Sequence, residues 1–250
     1  MKPEEVRAEW DFAADAYAEA QADGTDHYRL EFFGPAQIAL CGDVAGTTLL
    51  DVGCGSGYFS RAMAERGATV TGIDLSPKMI AHAKRLGGGA TYEVLSASDL
   101  AKRFAPAAFD VATSCMAMQD MPDPAAAFRA VHAVLRPGGR YIFSIDHPCT
   151  NMPLRRWELA DSGKKQHLCL DRYFQRGPLT YDWPNRWSYP FTTHTFHSTL
   201  EDWFAWILDA GFALRGFREP VPTREVLRKH PGLADATRMP YFALFDLVRA

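Results

Sequence analysis

A glycine-rich loop between a strand and a helix constrains this chain more than any other feature of its sequence. Residues 47–52 (TTLLDV) form a short apolar run typical of a buried parallel strand, and Gly53, Gly55 and Gly57 follow directly. Residues 56–66 then have a helical pattern. Glycine lets a backbone turn tightly and approach a ligand, and the helix presents free N–H groups to it. The sequence therefore predicts a ligand site at the end of the first strand.

Strands and helices alternate after this loop, which predicts a parallel sheet covered by helices on both faces. Ligands of such sheets bind outside the carboxyl ends of the strands, near the switch in strand order. A helix beginning at Ser76-Pro77 has a capping serine and a first-turn proline. The other predicted helices span 3–22, 27–41, 56–66, 124–135 and 200–210, and the predicted strands span 47–52, 68–73, 91–95, 109–114, 141–145, 191–197, 212–217 and 241–249.

Two acids help to distinguish the ligand of the loop. Asp74 follows the second strand, where a dinucleotide-type fold places an acid on ribose hydroxyls. The glycine spacing is GxGxG, and Tyr58 occupies the last glycine position of a pyrophosphate fingerprint. Asp51 places a carboxylate beside the loop, which suits a cationic sulfonium ligand with an ammonium group better than a diphosphate. The electrostatics therefore favour S-adenosyl-L-methionine over NAD.

The composition is that of an ordinary globular domain of 250 residues, with 47% hydrophobic and 23% charged residues. A net charge of −3 gives no reason to expect a nucleic-acid partner. The five cysteines form no CxxC pair, which favours free thiols in a reducing cytoplasm. The polar start of the chain is unlike a signal peptide, and no apolar run approaches membrane-spanning length, so we expect a cytoplasmic protein with no membrane partner.

Four segments carry a family resemblance, and they occur in the usual order and spacing. They read LLDVGCGSGYFS, GIDLSPKMI, FDVATSCMAMQDMPD and LRPGGRYIFS. Together they resemble the class I (Rossmann-like) S-adenosylmethionine-dependent methyltransferases of the small-molecule type, over roughly residues 45–146. The resemblance extends more loosely to the C-terminus through FHSTLEDWFAWILDAGF.

The resemblance implies an α/β fold with a Rossmann-like, seven-stranded, mostly parallel sheet and helices on both faces. We expect an N-terminal helical lid and an aromatic-rich cap inserted after the fifth strand. The whole chain, 1–250, is then one methyltransferase domain. Its parts are lid helices over 1–43, a cofactor-binding core over 45–147, a substrate cap over 148–190, which has no clear period, and the C-terminal part of the sheet over 191–250.

The resemblance also implies which residues hold the cofactor. Gly53, Cys54 and Gly55 line its methionine part, while Asp51 orients the loop and the amino group. Asp74 binds the ribose diol and Leu75 flanks the adenine. The family commonly has an acid where this chain has Ser96, followed here by Ala97, and Asp99 is near. After the fourth strand, Cys115 and Met116 contact the methionine end. The product is S-adenosyl-L-homocysteine.

Methyl transfer from a sulfonium needs an aligned nucleophile and sometimes a base, so we searched for proton acceptors. His147 directly follows the fifth strand and is the first candidate base. His197 is a weaker candidate on a later strand, as is His194. No HExxH-like ligand set is present, and we expect no metal.

Aromatic residues of the insertion predict a flat pocket for a planar acceptor. Basic residues there either attract an anionic substrate or form a solvated face, and interleaved acids favour the solvated face. We expect Tyr17 and Tyr28 to close over the site from the N-terminal helices, Gln119 to shape the pocket, and Asp120 either to do the same or to belong to a turn before the next helix. The candidate substrate-binding residues are Tyr17, Tyr28, Gln119, Trp157, Tyr173, Trp183 and Trp187.

The predicted reaction is direct in-line transfer of a methyl group to an N, O or activated C of a small aromatic or heteroaromatic metabolite. A specialised metabolite is favoured, and a quinone-type or primary metabolite stays open. The alternatives are a nucleic-acid or protein methyltransferase of the same fold, a non-catalytic S-adenosylmethionine-binding module, and a nicotinamide-dependent dehydrogenase, which the glycine spacing disfavours. No motif specifies an oligomeric state.

Overall fold

A seven-stranded sheet forms the centre of the molecule in a computed structural model that describes residues 1–183 and 188–250. The strands are β1 (Thr48–Val52), β2 (Thr69–Asp74), β3 (Thr91–Val94), β4 (Phe109–Cys115), β5 (Leu135–Asp146), β6 (Leu154–Leu159), β7 (Lys165–Asp171), β8 (Gly177–Trp183), β9 (Phe191–His197), β10 (Phe212–Arg218) and β11 (Phe242–Arg249). The helices are α1 (Pro3–Ala22), α2 (Gly34–Cys41), α3 (Tyr58–Ala64), α4 (Pro77–Leu86), α5 (Leu100–Arg103), α6 (Pro124–Val134), α7 (Leu200–Asp209) and α8 (Arg224–Lys229).

The strand order of this sheet is β3-β2-β1-β4-β5-β11-β10. Strands β1 to β5 run parallel to one another, whereas β11 runs antiparallel to both β5 and β10. After β3 the chain crosses to the other side of β1, so the switch in strand order lies between β1 and β4. This confirms the predicted α/β fold with a mostly parallel, seven-stranded sheet, and it places the expected ligand cleft at the ends of β1 and β4.

Buried side chains on both faces explain why these segments are strands. In β1 the last four residues are buried, as a central parallel strand requires. One core contains Phe128, Phe143 and Trp203 between the sheet and helices α6 and α7. The predicted start of α4 is confirmed, because Ser76 Oγ accepts a hydrogen bond from the Met79 N–H at 3.1 Å.

The N-terminal segment forms a long helix that is fastened across the sheet's carboxyl edge. Helix α1 has the predicted bounds of 3–22, and its Asp11 accepts a hydrogen bond from Ser76 at 2.5 Å. On its other side Glu9 pairs with His194 at 2.7 Å. The predicted helix over 27–41 begins as a wider π-helical turn, Tyr28–Phe33, and continues as α2. Such turns are frequent at functional sites.

The insertion after β5 differs from the sequence-based prediction. Residues 148–190 were expected to have no regular pattern, yet β6 and β7 form one antiparallel hairpin and β8 pairs with β9 in another. Strand β9 therefore belongs to the insertion's hairpin and not to the main sheet. Both faces of β6 and β7 are largely exposed, so these strands carry no apolar alternation that could have revealed them.

Two further elements lie between β10 and β11. Helix α8 and a 3₁₀ turn over Pro231–Thr237 occupy a segment for which the sequence indicated no structure. Among the described helices, none is both long enough and apolar enough to cross a membrane.

Candidate active site

The glycine loop after β1 has the close-packed geometry that its sequence predicts. Gly53 has a φ of +70°, and a Cβ there would lie 2.5 Å from the Cβ of Ala117, so no other residue fits. The N–H groups of Gly53 and Cys54 donate to the carbonyl oxygen of Ile73 at 2.8 and 2.9 Å. These bonds hold the loop against the end of β2 and leave its upper side open as a cradle.

Asp74 joins this loop to the next one. Its two carboxylate oxygens accept hydrogen bonds from the N–H of Gly55 at 2.9 Å and from the N–H of Ser76 at 2.8 Å. Burial raises the pKa of the Asp74 carboxyl, although these backbone donors oppose the shift. Each carboxylate oxygen has a second lone pair, so the group can also accept from a ligand hydroxyl.

Asp51 is fully buried at the end of β1 and is held by two hydroxyl groups. Ser60 Oγ donates to one oxygen at 2.6 Å and Thr113 Oγ1 to the other at 3.1 Å. Burial raises the pKa of Asp51 to about 6 despite these two hydrogen bonds. A cationic group bound beside it would favour the ionised carboxylate.

The ends of β3 and β4 complete the cleft. Ser96 Oγ lies 2.9 Å from Ser98 Oγ and both residues face the cleft, whereas Asp99 forms an ion pair with Lys102 at 2.7 Å. Met116 has a positive φ of 57°, unusual for a residue with a side chain, and its N–H donates to Ser144 Oγ at 3.1 Å. A strained backbone of this kind is often found where a site needs it.

The cleft formed by these loops brings together the whole predicted cofactor set. It also contains Trp10, Tyr17 and Arg29 from the N-terminal segment. The predicted residues on its wall are Asp51, Gly53, Cys54, Gly55, Asp74, Leu75, Ser96, Ala97, Cys115 and Met116. We refer to it as the cofactor cleft.

Arg29, which the sequence analysis missed, crosses the inner end of this cleft. Its Nε pairs with Asp26 at 3.0 Å, and its Nη1 donates to the carbonyl oxygen of Cys115 at 3.2 Å. Its Nη2 donates to the hydroxyl of Tyr17. The guanidinium is therefore a buried positive charge fixed at the end of β4. An arginine in a helical pattern gives no signal of this role, and here it lies in a π-helical turn.

A second cleft adjoins the first and is enclosed by the insertion. Its empty volume is about 1620 Å³, counting the space open to solvent, and it contains both acidic and basic side chains. Among the described residues, five line both clefts: Trp10, Tyr17, Arg29, Met116 and Asp120. The two clefts therefore meet at these residues, and we refer to the second as the acceptor cleft.

Most predicted substrate-binding residues lie on the acceptor cleft. Trp183 donates through Nε1 to Thr193 Oγ1 at 2.9 Å, and its ring stacks on that of Phe191 with centroids 5.2 Å apart. Its ring also meets Trp10 and Tyr17 edge-on, which joins the hairpin to helix α1. Trp187 lies outside the described residues. The predicted residues on the cleft are Tyr17, Tyr28, Gln119, Trp157 and Trp183.

Two of the acids that line the acceptor cleft, Asp120 and Asp146, have raised pKa values. Burial raises the pKa of Asp120 well above its usual value, and the neighbouring Asp146 raises it further. Burial also raises the pKa of Asp146, to about 6, although Arg155 opposes the shift. Asp146 accepts a hydrogen bond from Asn151 Nδ2 at 3.1 Å. An acid with a raised pKa is a stronger proton acceptor once it is ionised.

His147 lies on neither cleft. It is buried, and its Nδ1 accepts a hydrogen bond from the N–H of Cys149 at 3.2 Å. Its Nε2 is 2.9 Å from a carboxylate oxygen of Glu219, without good hydrogen-bond alignment. Burial lowers the pKa of His147. Successive side chains of an extended chain point to opposite sides, so Asp146 faces the cleft and His147 faces away.

His197 and Tyr173 also lie away from both clefts. The two ring nitrogens of His197 contact the carbonyl oxygens of Asn151 at 2.8 Å and Tyr173 at 2.7 Å. The hydroxyl of Tyr173 accepts a hydrogen bond from the N–H of Leu200 at 2.8 Å. His197 therefore joins β9 to the insertion, and Tyr173 connects the insertion to the start of helix α7. On the same strand as His197, Thr193 and Thr195 are the residues that face the acceptor cleft.

Comparison with known proteins agrees with this geometry. Residues 50–143 match a family model described as a methyltransferase domain. An S-adenosylmethionine-dependent methyltransferase from Mesorhizobium loti is 32% identical, with a TM-score of 0.73, over 86% of this chain and 96% of its own. A Listeria monocytogenes structure is 29% identical over 86% of this chain and 95% of its own, with a TM-score of 0.74.

A curated relative covers less of the molecule. The ubiquinone biosynthesis O-methyltransferase of Pseudomonas syringae pv. tomato is 44% identical over 106 residues, which are 41% of this chain and 45% of the relative. The chain thus spans less than half the length of the curated relative it matches. The shared part corresponds in size to the cofactor-binding core and not to the whole enzyme.

The sheet order, the glycine cradle and the two adjoining clefts define a class I methyltransferase. With the match to the Mesorhizobium loti protein over nearly its whole length, the chain belongs to the S-adenosylmethionine-dependent methyltransferase family. Its cofactor is S-adenosyl-L-methionine. The nicotinamide-dependent dehydrogenase is thereby excluded. In the described part of the chain, no cluster of His, Cys, Asp and Glu is arranged to hold a metal ion.

Proposed function

We propose that this enzyme transfers the methyl group of S-adenosyl-L-methionine to a small planar aromatic or heteroaromatic acceptor. The supporting observation is the ring-lined acceptor cleft, which meets the cofactor cleft at five shared residues. The accepting atom is an N, O or activated C, and oxygen is favoured because the matched Pseudomonas relative is named an O-methyltransferase. Its acceptor belongs to ubiquinone biosynthesis by name, which keeps quinone-type acceptors open for this enzyme.

The residues of the cofactor cleft fit the groups of the cofactor. The loop at Gly53 lines the cleft beside the methionine part, and Asp51 stabilises the ammonium group by its charge. Arg29 supplies the opposite charge for the carboxylate of that amino acid. Asp74 accepts from the ribose hydroxyls, while Leu75 packs on the adenine. When bound, the cofactor supplies a methyl group that the sulfonium has already activated.

The remaining requirement is to place the nucleophile in line and to remove its proton. Asp120 lines both clefts, and we assign it as the group that accepts the proton of the nucleophile. The bound cofactor would supply the methyl group, its C–S bond breaking as the new X–C bond forms, and Asp120 would accept the proton of the nucleophile. Its burial strengthens the base, and the product S-adenosyl-L-homocysteine carries the electron pair of the broken bond. Asp120 thus takes the role that the sequence analysis assigned to His147.

The aromatic wall orients the acceptor and excludes water. Trp10 and Tyr17 meet edge-on with ring centroids 5.4 Å apart, and Tyr17 meets Trp183 at 5.8 Å. These rings come from helix α1 and from the insertion, which close over the junction from two sides. A ring-shaped acceptor buries its faces against them, and this contact contributes most of its binding free energy.

Two measurements test this function. Calorimetry with S-adenosyl-L-homocysteine should give micromolar binding that Asp74→Asn weakens strongly. A screen with methyl-labelled S-adenosyl-L-methionine and planar phenols, anilines and N-heterocycles should then give labelled product, which Asp120→Asn reduces. Binding of the product with no label transferred to any ring acceptor would favour a non-catalytic binding module. Labelling of nucleic acid or protein in the same assay would contradict a small-molecule acceptor.

A further inference from the structure

The acceptor cleft contains a guanidinium that is not neutralised by direct contact. Arg155 on strand β6 is exposed and lines this cleft. Its guanidinium carbon lies 5.1 Å from the ring centroid of Tyr241, over the ring face. Within residues 1–183 and 188–250, no carboxylate oxygen lies within 4.0 Å of Arg155.

The other cations of the same wall already have acidic partners. Arg156 Nη2 lies 3.8 Å from Glu158, and Lys165 forms an ion pair with Asp235. Asp146 is the acid of the cleft that acts on Arg155, at a longer distance than an ion pair. It is less exposed than Arg155 and accepts a hydrogen bond from Asn151. The positive charge of Arg155 is therefore available to a ligand.

A ring lies beside this charge on the same strand. Trp157 is two residues from Arg155, so both side chains leave the same face of β6. Lys165 and Arg238 lie over the Trp157 ring, 5.3 and 4.9 Å from its centroid. This corner of the cleft thus combines an aromatic surface with an excess of positive charge. Arg155 is not among the residues shared with the cofactor cleft, which places it away from the methyl group.

We propose that the acceptor carries an oxyanionic group, a carboxylate or a phosphate, which Arg155 binds at the end of the molecule remote from the methyl-accepting atom. A planar guanidinium matches both groups because it donates two parallel hydrogen bonds. This inference rests on the proposed function and narrows its acceptor to anionic ring compounds. Among the basic residues of the insertion, Arg155 thus takes part in recognition, whereas the sequence favoured a solvated face for all of them.

The test is binding to protein saturated with S-adenosyl-L-homocysteine, because binding does not require turnover. The probes are 4-hydroxybenzoate, 4-hydroxyphenyl phosphate and the neutral 4-hydroxybenzamide, measured by ligand-observed NMR titration. We expect wild-type protein to bind one of the anions about tenfold more tightly than the amide, the effect of one charge-assisted hydrogen bond. The preferred anion identifies the group as carboxylate or phosphate.

Three variants connect this preference to Arg155. Arg155→Gln should abolish the preference for the anion, while Arg155→Lys should retain part of it. Lys164→Gln removes a similar charge from the exposed turn between β6 and β7, which lines neither cleft, and should retain the full preference.

Equal binding of anion and amide by the wild type, or an undiminished preference in Arg155→Gln, would overturn the anionic subsite and leave the proposed function intact. If no ring probe binds and no ring acceptor is methylated, the proposed function fails, and the subsite fails with it. Binding of S-adenosyl-L-homocysteine, measured in each variant, shows that the cofactor cleft remains folded.

Discussion

The Arg29 guanidinium donates a hydrogen bond to the Tyr17 hydroxyl inside the wall that both clefts share. Tyr17 belongs to helix α1 and Arg29 to the π-helical turn that follows it. Both side chains are buried, and burial raises the pKa of Tyr17, so its hydroxyl stays protonated. This contact fixes a positive charge at the junction of the two clefts.

Replacing Arg29 by Met should weaken S-adenosyl-L-homocysteine binding by about 10- to 100-fold, because a charge-assisted contact to the carboxylate is lost. Calorimetry measures this effect. Binding of 5′-methylthioadenosine is the control, since that compound lacks the amino-acid part and should bind the variant as it binds the wild type. An equal loss for both ligands would mean that Arg29 only supports the fold.

Replacing Gly53 by Ala should abolish cofactor binding, because the added Cβ would lie 2.5 Å from that of Ala117 in an unfavourable backbone conformation. Gly46→Ala is the matched control: its φ of +73° is similar, but its Cβ would have no atom within 4 Å. Both variants carry the backbone strain, of order 1 kcal/mol. Comparable S-adenosyl-L-homocysteine affinity in the two variants would contradict a steric role for Gly53.

Replacing Asp120 by Asn should lower kcat about 10²- to 10⁴-fold if the acceptor must lose a proton. His147→Gln should leave kcat near the wild-type value and mainly reduce thermal stability, because His147 contacts Glu219 outside both clefts. Steady-state kinetics with an acceptor from the screen measures both effects. The reverse result, with His147→Gln the inactive variant, would restore His147 as the base.

The rate should also depend on pH through Asp120. Burial raises the pKa of its carboxyl, so the base is protonated at low pH and kcat should rise as the pH increases through that raised pKa. This rise of kcat with pH should disappear in Asp120→Asn. If kcat of the variant still rises with pH over the same range, the titrating group is not Asp120.

Stability should depend on pH through Asp51. Its pKa is about 6 in the folded protein and about 4 in an unfolded chain, so the folded state holds the proton to higher pH. The free energy of unfolding should therefore fall as the pH rises from about 4 to about 6. Urea unfolding of the cofactor-free protein should show this slope, and Asp51→Asn should reduce it. The same variant should bind S-adenosyl-L-methionine more weakly, because the ammonium group of the cofactor no longer has the negative charge of Asp51 beside it.

The cofactor half of the site could be predicted from the sequence because it is built from local geometry. Gly53 and Gly55 follow β1 directly, and Asp74 follows β2 directly, so sheet topology alone brings them to one edge. Hydrophobic periodicity and turn residues are local features of the sequence, and the fold contains the strands and turns that they predict. Cys115 and Met116 entered the predicted set through the family resemblance; Cys115 ends β4 and Met116 follows it.

The acceptor half could not be predicted in the same way. Placing His147 required knowing which side of β5 faces the cleft, because a shift of one residue would exchange its position with that of Asp146. Arg29 is buried in a π-helical turn, where the sequence predicted an α-helix and gave no reason to expect a buried charge. The hairpins of the insertion are exposed on both faces and carry no hydrophobic period to mark them.

The sequence by itself thus determined the fold class and the methyltransferase family, because these depend on short-range patterns in a fixed strand order. It also predicted a set of cofactor-binding residues, and these line one cleft. The tertiary structure decided which of the remaining polar groups share a cleft. Asp120 and Asp146 follow the neighbouring strands β4 and β5, and the fold of the insertion brings Arg155 to the same cavity. Burial there also changes the proton affinity of the two acids, and no local pattern in the sequence specifies that burial.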